Sequence, residues 1–600
     1  MPLTTTIDRP ETAQTVKTLT TARAQGRARA IEGRRMFVLA LNTATVAALL
    51  FAMGGLLASG GVTALEWVML GLYALTLPWL SIGFWNAVIG LILHRGLSDA
   101  AGFVTPQLRR EVPDAPLHSR VAIVMPVRNE DPQGAIARFE AVQMDLARTP
   151  WGHLFDFHLL SDSSRPEIAR READLVAAWQ ARAPAVRITH RVRAENTGYK
   201  AGNIAEFLHR CGEDYDYFLP LDADSVMSGN AVLRLVRVME ANPELGILQG
   251  LVVGRPAESF FTRAFQFGMR HGMRSFTLGS AWWQADCGPY WGHNALIRVA
   301  PFRDDCALPV LPGKGPLGGY ILSHDQVEAT LMRRAGYEVR VLAEEQESYE
   351  ENPPSLTDFI TRELRWCNGN FQYFRLLSTP GLLPMSRVQL VLAILMYVNA
   401  PAWMGFILMG ALMAGQGTQF DAVPVAYGLG LFAVIMTLNL FPKIMGLAQV
   451  MLSRSEAARY GGRWRVLASG AIELVLSMLL APAVAFSITL FVIGLAFGRR
   501  ITWSAQTRER SRLGWDEAAR MLWPQTLAGA LLTVYLGVHA PWAMAFGSPV
   551  LLSLTLAIPL AVLTTLPSWG AWSIRTGIFD IPEDRHAERD ETPTPVLQAA

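Results

Sequence analysis

The stretch YDYFLPLDADSVMSGN, residues 215–230, decides the fold of the central part of this chain. Its apolar run from Phe218 to Leu221 is typical of a buried strand. Two aspartates, Asp222 and Asp224, follow the run and are separated by a single residue. Two carboxylates so close together repel each other and lose hydration when they are buried. We therefore expect either a solvated surface turn or a site in which a positive group lies between them.

Four further apolar runs accompany this strand and predict an α/β domain. In chain order the five runs are RVAIVMPV (120–127), FDFHLLSD (155–162), AVRITHRV (185–192), DYFLPLD (216–222) and LGILQG (245–250). Amphipathic helical patterns separate them, at 131–149, 165–182, 198–212 and 229–242. Alternation of strands and helices predicts a doubly wound α/β fold, in which ligands bind beyond the carboxyl ends of the strands.

The composition of the 600 residues indicates a membrane protein with an inserted soluble domain. Hydrophobic residues make up 51% and charged residues only 17%, whereas about a quarter is charged in typical soluble proteins. The net charge of +2 gives no support for a nucleic-acid partner. Four cysteines without CxxC spacing indicate neither a zinc site nor a disulfide framework.

The apolar segments predict how the chain is divided between bilayer and solvent. Residues 37–59 and 65–93 are each long enough to cross a hydrocarbon core of about 30 Å as a helix. The predicted organisation is a basic cytoplasmic segment at 1–35, a transmembrane hairpin at 36–95, a linker or interfacial helix at 96–116, a cytoplasmic α/β domain at 117–386, a transmembrane bundle at 387–573 and a tail at 574–600. The bundle contains spans at 388–414, 423–447, 521–546 and 549–573.

Segment 467–498 can form one helix or two. The loops on both sides of it, 448–466 and 499–520, are rich in arginine and are therefore predicted to be cytoplasmic. Both can be cytoplasmic if the segment enters the bilayer and returns, and we expect it to turn at Pro482 as two short or re-entrant helices. The charged tail at 574–600 contains prolines and is expected to be disordered.

Polar residues follow several of the predicted strands. Glu130 follows the first strand, Asp162 ends the second, and Lys200 opens the helix after the third. A lysine at a helix N-terminus opposes the helix dipole, but it suits a bound phosphate. Asp222 and Asp224 follow the fourth strand, and a divalent cation relieves the repulsion between such carboxylates. Together these positions predict a site for a nucleotide diphosphate and a metal.

Two patterns farther along the chain add candidate residues. Asp325 heads an amphipathic helix, where an acid is either a helix-capping group or a general base that deprotonates a hydroxyl. In the segment 361–374, Arg362, Arg365 and Trp366 belong to a solvated basic helix, or they bind a diphosphate and stack on a sugar ring. The Gly- and aromatic-rich CGPYWGHNALIR (287–298) is either a tight core turn or a cradle for an acceptor sugar.

Taken together, these motifs carry a family resemblance. The chain resembles the processive inverting glycosyltransferases of family two, the group of cellulose and hyaluronan synthases, in the motifs PVRNE, SDSS, GYKAGN, DADS, SHD and RELRWCNGN. The chain is more closely similar to the glucans biosynthesis glucosyltransferase H family, which makes osmoregulated periplasmic glucans in Gram-negative bacteria. This similarity lies in the sequences LDADSVMSG, CGPYWGHNALIR, LSHDQVEATLMRRAGYEV and RWCNGN. The similarity extends from the first hairpin to the last predicted span.

This resemblance implies a fold, a donor and roles for the candidate residues. The implied fold class is an α-helical membrane domain plus an α/β GT-A (nucleotide-diphospho-sugar transferase) cytoplasmic domain. The implied reaction transfers glucose from UDP-glucose to a growing β-1,2-linked glucan that passes to the periplasm. The implied roles are uridine binding by Glu130 and Asp162, diphosphate binding by Lys200, nucleotide-sugar binding by Asp222, binding of Mg²⁺ or Mn²⁺ by Asp224, general-base catalysis by Asp325, and contact with the diphosphate and acceptor by Arg362, Arg365 and Trp366.

The chain departs from the wider family in two motifs. Arg362 replaces the glutamine of Gln-x-x-Arg-Trp, and Ser323-His324-Asp325 replaces Thr-Glu-Asp while keeping the aspartate. The loop ITWSAQTRERS, 501–511, is a candidate gating loop.

Several partners and rival functions remain open. The implied partners are the lipid bilayer, acyl carrier protein and periplasmic glucan-biosynthesis proteins, although no motif of the chain shows the last two. The alternatives are another processive β-glycan synthase of the cellulose kind, a non-processive lipid-linked sugar transferase, or a transporter with a nucleotide-binding domain.

Overall fold

The computed structural model describes residues 11–58, 63–416, 425–499 and 512–589. It begins with two long helices, α1 (Glu11–Leu57) and α2 (Ala64–Gly96). From Glu11 onward, the basic segment therefore continues into the first predicted span as one helix. Arg35 of α1 binds Asp286 at 2.6 Å, which fastens the start of the hairpin to the central domain.

The central domain contains all the predicted strands and the helices between them. Its helices are α3 (Ala100–Val104), α4 (Pro132–Ala147), α5 (Pro166–Arg182), α6 (Tyr199–Cys211), α7 (Gly229–Glu240), α8 (Phe260–Gln284), α9 (Val299–Asp305), α10 (Asp325–Arg334) and α11 (Leu356–Gln372). Its strands are β1 (Val121–Val127), β2 (Phe155–Ser161), β3 (Ile188–Val192), β4 (Tyr217–Pro220), β5 (Val226–Met227), β6 (Leu245–Gln249), β7 (Val253–Gly254), β8 (Ala295–Arg298), β9 (Glu338–Val341) and β10 (Ser348–Glu350). The five predicted strands correspond to β1, β2, β3, β4 and β6.

The strands form a seven-stranded sheet of order β3-β2-β1-β4-β8-β6-β9 and a small sheet of order β5-β10-β7. The pairs β1–β2, β1–β4, β2–β3 and β6–β9 are parallel, and β8 is antiparallel to both of its neighbours. Strand β1 is buried almost throughout, as expected for a parallel strand covered on both faces. The mixed sheet confirms the α/β prediction and adds one reversed strand to it.

Helix α8 is a long element between the α/β domain and the membrane helices, and the sequence patterns did not predict it. Its Gly279 crosses α2 so closely that a Cβ there would lie 1.9 Å from the carbonyl oxygen of Asn86. On α2, a Cβ at Gly90 would lie 1.8 Å from the carbonyl oxygen of Ser275. These glycines let two helix backbones touch, as small residues do at helix crossings in membranes.

The C-terminal half consists of helices. They are α12 (Pro384–Gly415), α13 (Val425–Leu452), α14 (Arg454–Arg459), α15 (Arg463–Ala496), α16 (Trp515–His539), α17 (Ala543–Thr555), α18 (Ala557–Leu563), α19 (Pro567–Thr576) and α20 (Pro582–Arg589). In the described residues, six helices are long and apolar enough to span a membrane: α1 from Gly26, α2, α12, α13, α15 and α16; the pair α17–α18, bent by 64°, is a possible seventh.

The expectation of two short helices at 467–498 is wrong. The segment lies within the single helix α15, and Pro482 is accommodated inside it. Val466 near its start lies in a buried cluster with Phe260 of α8, and Ala483 in the middle lies in a cluster with Ile360 of α11. Phe491 near its end shares a cluster with Phe371, again of α11. Helix α15 therefore packs against helices of the α/β domain near its start, in its middle and near its end. The candidate gating loop at 501–511 lies outside the described residues.

The last predicted span and the tail also differ from expectation. Segment 549–573 is divided among α17, α18 and α19, and the chain then folds back onto α8. Phe579 is fully buried, and Asp580 binds Arg263 of α8 at 2.8 Å. The tail is therefore ordered where the structure describes it, because apolar residues and buried ion pairs attach it to the domain.

Candidate active site

The parallel pairing of the first, second and fourth strands brings the predicted polar residues to one edge of the sheet. Val127 at the end of β1 is level with Ser161 at the end of β2, and Val124 is level with Pro220 of β4. Glu130, Asp162 and the Asp222–Asp224 pair therefore follow strand ends on the same side. The predicted clustering at the carboxyl edge is what the structure shows.

Lys200 and Asp222 form an ion pair, with Nζ directed at Oδ1. Gly198, at a φ of +72°, turns the chain into α6 and places Lys200 in the first helical turn. Both side chains stay partly accessible. The sequence predicts either a surface turn or a positive group between the two aspartates, and Lys200 supplies a positive group at Asp222.

Asp162 is held by an arginine. Its two oxygens accept hydrogen bonds from Nε and Nη2 of Arg193, each at 2.7 Å, and both side chains are buried. Arg193 also donates to the carbonyl oxygens of Thr197 and Tyr199. Asp162 therefore orders the loop that carries Lys200, and its contact with uridine stays a prediction.

Glu130 lies in a rigid turn after β1. Asn129, at a φ of +57°, accepts hydrogen bonds from the backbone nitrogens of Ser164 and Arg165 at 3.0 and 3.1 Å. The turn is therefore tied to the chain that follows β2. Glu130 itself is partly accessible beside this junction, as a ligand contact requires.

The buried Asp224 lies near a further acid, Glu350, that the sequence patterns do not reveal. Strand β5 follows Asp224 and pairs with β10, so that Val226 lies opposite Tyr349. This pairing brings Glu350 to the site. Burial raises the pKa of Glu350, and the charges of Asp224 and Asp222 raise it further, while those of His293 and Arg362 lower it. Glu350 followed no recognised pattern, because only the β5–β10 pairing places it there.

Asp325 opens α10 beside the CGPYWGHN loop. Gly292 has a φ of +82°, and a Cβ there would lie 3.5 Å from Cβ of Asp325. Burial raises the pKa of Asp325, which the charge of His324 lowers in part. The phenol of Tyr290 is buried among the charges of Glu328, Asp325 and Asp222, which together with burial raise its pKa well above the usual value. Tyr290 thus connects the predicted base with the predicted donor site.

Helix α11 supports the segment before Asp325. A Cβ at Gly369 would lie 2.2 Å from Oγ of Ser323, so only glycine permits this approach. The hydroxyl of Tyr373 donates to the carbonyl oxygen of Ser323 at 2.8 Å, and Oε1 of Gln372 accepts from the backbone nitrogen of Leu322 at 2.9 Å. Helix α11 and the turn after it therefore hold the segment that leads to Asp325, the predicted base.

Arg362 lies among aromatic rings rather than open to solvent. Its guanidinium carbon is 4.5 Å from the ring centre of Trp366 and 5.2 Å from that of Phe359, distances at which cation–π attraction operates. Trp366 is 46% exposed and can stack on a sugar. Arg365, one residue before it, is partly accessible. Arg362, which replaces the glutamine of the wider family, therefore adds a positive charge that lowers the pKa of Glu350.

The residues at the edge fit a hard divalent cation. Asp224 supplies a buried carboxylate, and carboxylate oxygens suit Mg²⁺ and Mn²⁺. In the described part of the chain, no group of three or more His, Cys, Asp or Glu side chains is spaced to hold a metal. Mg²⁺ characteristically uses one or two carboxylates together with substrate phosphates, and this arrangement matches that mode.

Family models match the chain over this domain. The glycosyl transferase family 2 model matches residues 122–305, and the glycosyl transferase family group 2 model matches residues 217–417. A mannosyltransferase from Pyrobaculum calidifontis, solved with GDP-Man and Mn²⁺, superimposes with a TM-score of 0.39 at 14% identity over 61% of this chain and 98% of that one.

Curated relatives are similar over most of the chain. Glucans biosynthesis glucosyltransferase H of Cupriavidus pinatubonensis is 40% identical, over 94% of this chain and 67% of the relative. The protein of that name from Xanthomonas euvesicatoria is 36% identical, over 92% and 87%. The one from Vibrio cholerae is 36% identical, over 94% and 79%.

Proposed function

Because the chain belongs to the glucans biosynthesis glucosyltransferase H family, we propose that it transfers glucose from UDP-glucose with inversion and builds the β-1,2-linked backbone of osmoregulated periplasmic glucans. The coarser statement is established by the relatives, since the chain is a glycosyltransferase of glucan biosynthesis. The observation that carries the finer proposal is the Lys200–Asp222 ion pair at the carboxyl edge of the sheet, together with the buried Tyr290, which lies near the charges of both Asp222 and Asp325.

Membership of this family also confirms the predicted fold class. The central α/β domain is a GT-A-like glycosyltransferase domain, and the long apolar helices form a membrane region around it. The resemblance based on DADS, SHD and RELRWCNGN is confirmed as well.

In the proposed reaction, the donor lies along the carboxyl edge of the sheet. Glu130 and Asp162 bind uridine, Lys200 binds the diphosphate, and Asp222 binds the nucleotide sugar. Lys200 is already held by Asp222 in the first turn of α6, where the helix dipole favours an anion. A bound diphosphate competes with Asp222 for the lysine, so donor binding frees that carboxylate for the sugar.

Asp224 would hold the divalent cation, with oxygens of the diphosphate as the other ligands. When bound, the cation neutralises the charge that develops on the departing UDP. Burial of Asp224 and the nearness of Glu350 support this assignment, because a concentration of negative charge is most stable when a cation accompanies it.

Asp325 accepts the proton in the transfer step. The acceptor hydroxyl loses its proton to the Asp325 carboxylate while its oxygen forms a bond to the anomeric carbon. The bond between that carbon and the phosphate oxygen breaks, and UDP leaves with the electron pair. Direct displacement on an α-linked donor gives a β linkage without a covalent enzyme intermediate.

The acceptor glucan lies, in this proposal, between α11 and the CGPYWGHN loop. Trp366 and Trp291 are both partly exposed aromatic side chains, and they offer apolar faces to a pyranose. Arg362 and Arg365 contribute positive charge at the diphosphate end.

We place the enzyme in the bacterial inner membrane with its catalytic domain in the cytoplasm and propose that synthesis is coupled to export. The packing of the start of α15 against α8 supports this orientation, because it puts the arginine-rich loop before α15 on the same side as the α/β domain, and arginine-rich loops favour the cytoplasmic side. Acyl carrier protein and periplasmic glucan-biosynthesis proteins are proposed partners.

The test is synthesis by the purified protein in lipid nanodiscs. We expect incorporation of ¹⁴C-glucose from UDP-glucose, dependent on Mg²⁺ or Mn²⁺, and methylation analysis that gives 2-linked glucosyl residues. UDP-N-acetylglucosamine and GDP-mannose serve as control donors. A 4-linked product would contradict the linkage and favour a cellulose-like synthase, and polymer from another donor alone would overturn the donor assignment.

A further inference from the structure

His324 stands directly before the proposed base and is paired with a buried acid one helical turn later. Its Nδ1 lies 2.8 Å from Oε2 of Glu328, and both side chains are almost completely buried. Among the described residues, no other cation lies within ion-pair distance of Glu328. A buried carboxylate is stable in its ionised form only when it is paired, so the pair favours a protonated imidazole.

Other charges near His324 are consistent with this state. The groups that face it are Glu328 and Asp325 from α10 and Lys200 from α6. Burial and Lys200 lower the pKa of His324, but the carboxylates outweigh them, so its pKa is raised above the usual value. A protonated imidazole has two N–H donors, and Glu328 takes only the one on Nδ1.

The second ring nitrogen of His324 lies beside Gly292 of the CGPYWGHN loop, next to which the acceptor is proposed to bind. A Cβ on Gly292 would lie 3.6 Å from Cε1 and 3.8 Å from Nε2 of His324, and 3.5 Å from Cβ of Asp325. The same glycine therefore covers both side chains, next to the partly exposed Trp291. No hydrogen-bond acceptor for Nε2 lies among the residues that the structure describes.

We propose that His324, kept protonated by Glu328, donates a hydrogen bond from Nε2 to a hydroxyl of the acceptor glucan and so holds the attacking sugar against Asp325. This inference rests on the proposed function and gives a specific task to the histidine of SHD. Glu328 is a positioning residue, because it acts through His324. A protonated histidine next to the base also favours the ionised form of Asp325.

The test separates poor positioning of the acceptor from loss of fold. The purified protein in nanodiscs is given UDP-¹⁴C-glucose, and UDP release and polymer are both measured from pH 5 to 10. In His324→Gln, polymer formation falls about 10- to 100-fold, the loss expected for one charge-assisted hydrogen bond. The fraction of UDP released by hydrolysis rises, because water replaces a badly held acceptor. The exposed His209→Gln on α6 is the control and behaves as wild type.

The carboxylate gives a second and independent measurement. Glu328→Gln keeps the imidazole but no longer favours its protonated form, so polymer formation declines at a lower pH on the alkaline side than in wild type. His324→Lys, which stays charged, recovers part of the coupling between UDP release and polymer. An unchanged ratio of hydrolysis to transfer in His324→Gln, or an unmoved alkaline limb in Glu328→Gln, would overturn the inference. Failure of the wild type to use UDP-glucose would instead overturn the proposed function.

Discussion

The contact between Arg270 and the C-terminal segment yields the most quantitative prediction. Arg270 of α8 is 3% exposed. Its Nε and Nη2 donate to Glu583 at 2.8–3.1 Å, and its Nη1 donates to Glu345 at 2.8 Å. Glu345 is also bound by Arg459 at 2.6 Å. This network joins the C-terminal segment around Glu583, helix α8 and the segment that leads to Glu350.

The strength of the network follows from the ionisation of Glu345. Burial alone would raise the pKa of this carboxyl, but Arg270 and Arg459 lower it from 4.5 to about 2. At about 1.4 kcal/mol for each pKa unit, the ionised carboxylate is favoured by about 3 kcal/mol. Glu583 makes three contacts with the same buried arginine. Removing one partner of a buried ion pair costs about 3–5 kcal/mol.

We therefore expect Glu583→Gln to weaken attachment of residues 578–585 by about 3 kcal/mol, which is on the order of 100-fold in the opening equilibrium. Hydrogen–deuterium exchange of peptides from this segment measures that equilibrium, and peptides from β1 serve as the internal reference. The control is Asp516→Asn, which removes an exposed ion pair with Arg520 and is expected to cost at most about 1 kcal/mol.

The reasoning would be refuted by one clear result. If the amides of residues 578–585 in Glu583→Gln exchanged at the wild-type rate, the buried network would not be what attaches this segment to α8. Equal effects of Glu583→Gln and Asp516→Asn would mean that burial does not strengthen the contact.

Three further predictions concern the metal, the base and the helix crossing. Asp224→Asn should abolish turnover and the tightening of UDP binding by Mn²⁺, measured by calorimetry, without lowering the thermal unfolding temperature. Because burial raises the pKa of Asp325 and only its carboxylate accepts a proton, polymer formation should decline on acidification at a pH above the usual 3.8 of an aspartate; an acid limb at or below that value would contradict this. Gly279→Ala places a Cβ 1.9 Å from the carbonyl oxygen of Asn86 and should cost about 3 kcal/mol in thermal unfolding, whereas Gly83→Ala on α2, with no atom within 4 Å, should not.

The strands and their polar ends could be predicted from the sequence because both depend on local pattern. The apolar run before Asp222 identifies β4, and parallel pairing then brings Asp162 and Asp222 to the same edge. Lys200 was placed correctly for the same reason, since it opens the helix after β3. The order of the strands in the sheet is enough to bring these residues together.

Glu350 and the partners of the candidate residues could not be predicted, because they depend on contacts between distant parts of the chain. Glu350 reaches the site only through the pairing of β10 with β5. The bond between Asp162 and Arg193 depends on the path of a loop. The arginine-rich loops on both sides of 467–498 likewise suggested a turn at Pro482, but α15 is continuous there and packs against α8 and α11.

The most direct test of the central claim compares wild type with Asp325→Asn. The substitution keeps the size of the side chain and removes its capacity to accept a proton. The account predicts that UDP-glucose binding, measured by calorimetry with Mg²⁺ present, stays within about twofold of wild type, while polymer formation falls about 100- to 10,000-fold, the usual contribution of general-base catalysis. Polymer formation by Asp325→Asn at the wild-type rate would contradict the assignment of Asp325 as the base and, with it, the proposed active site.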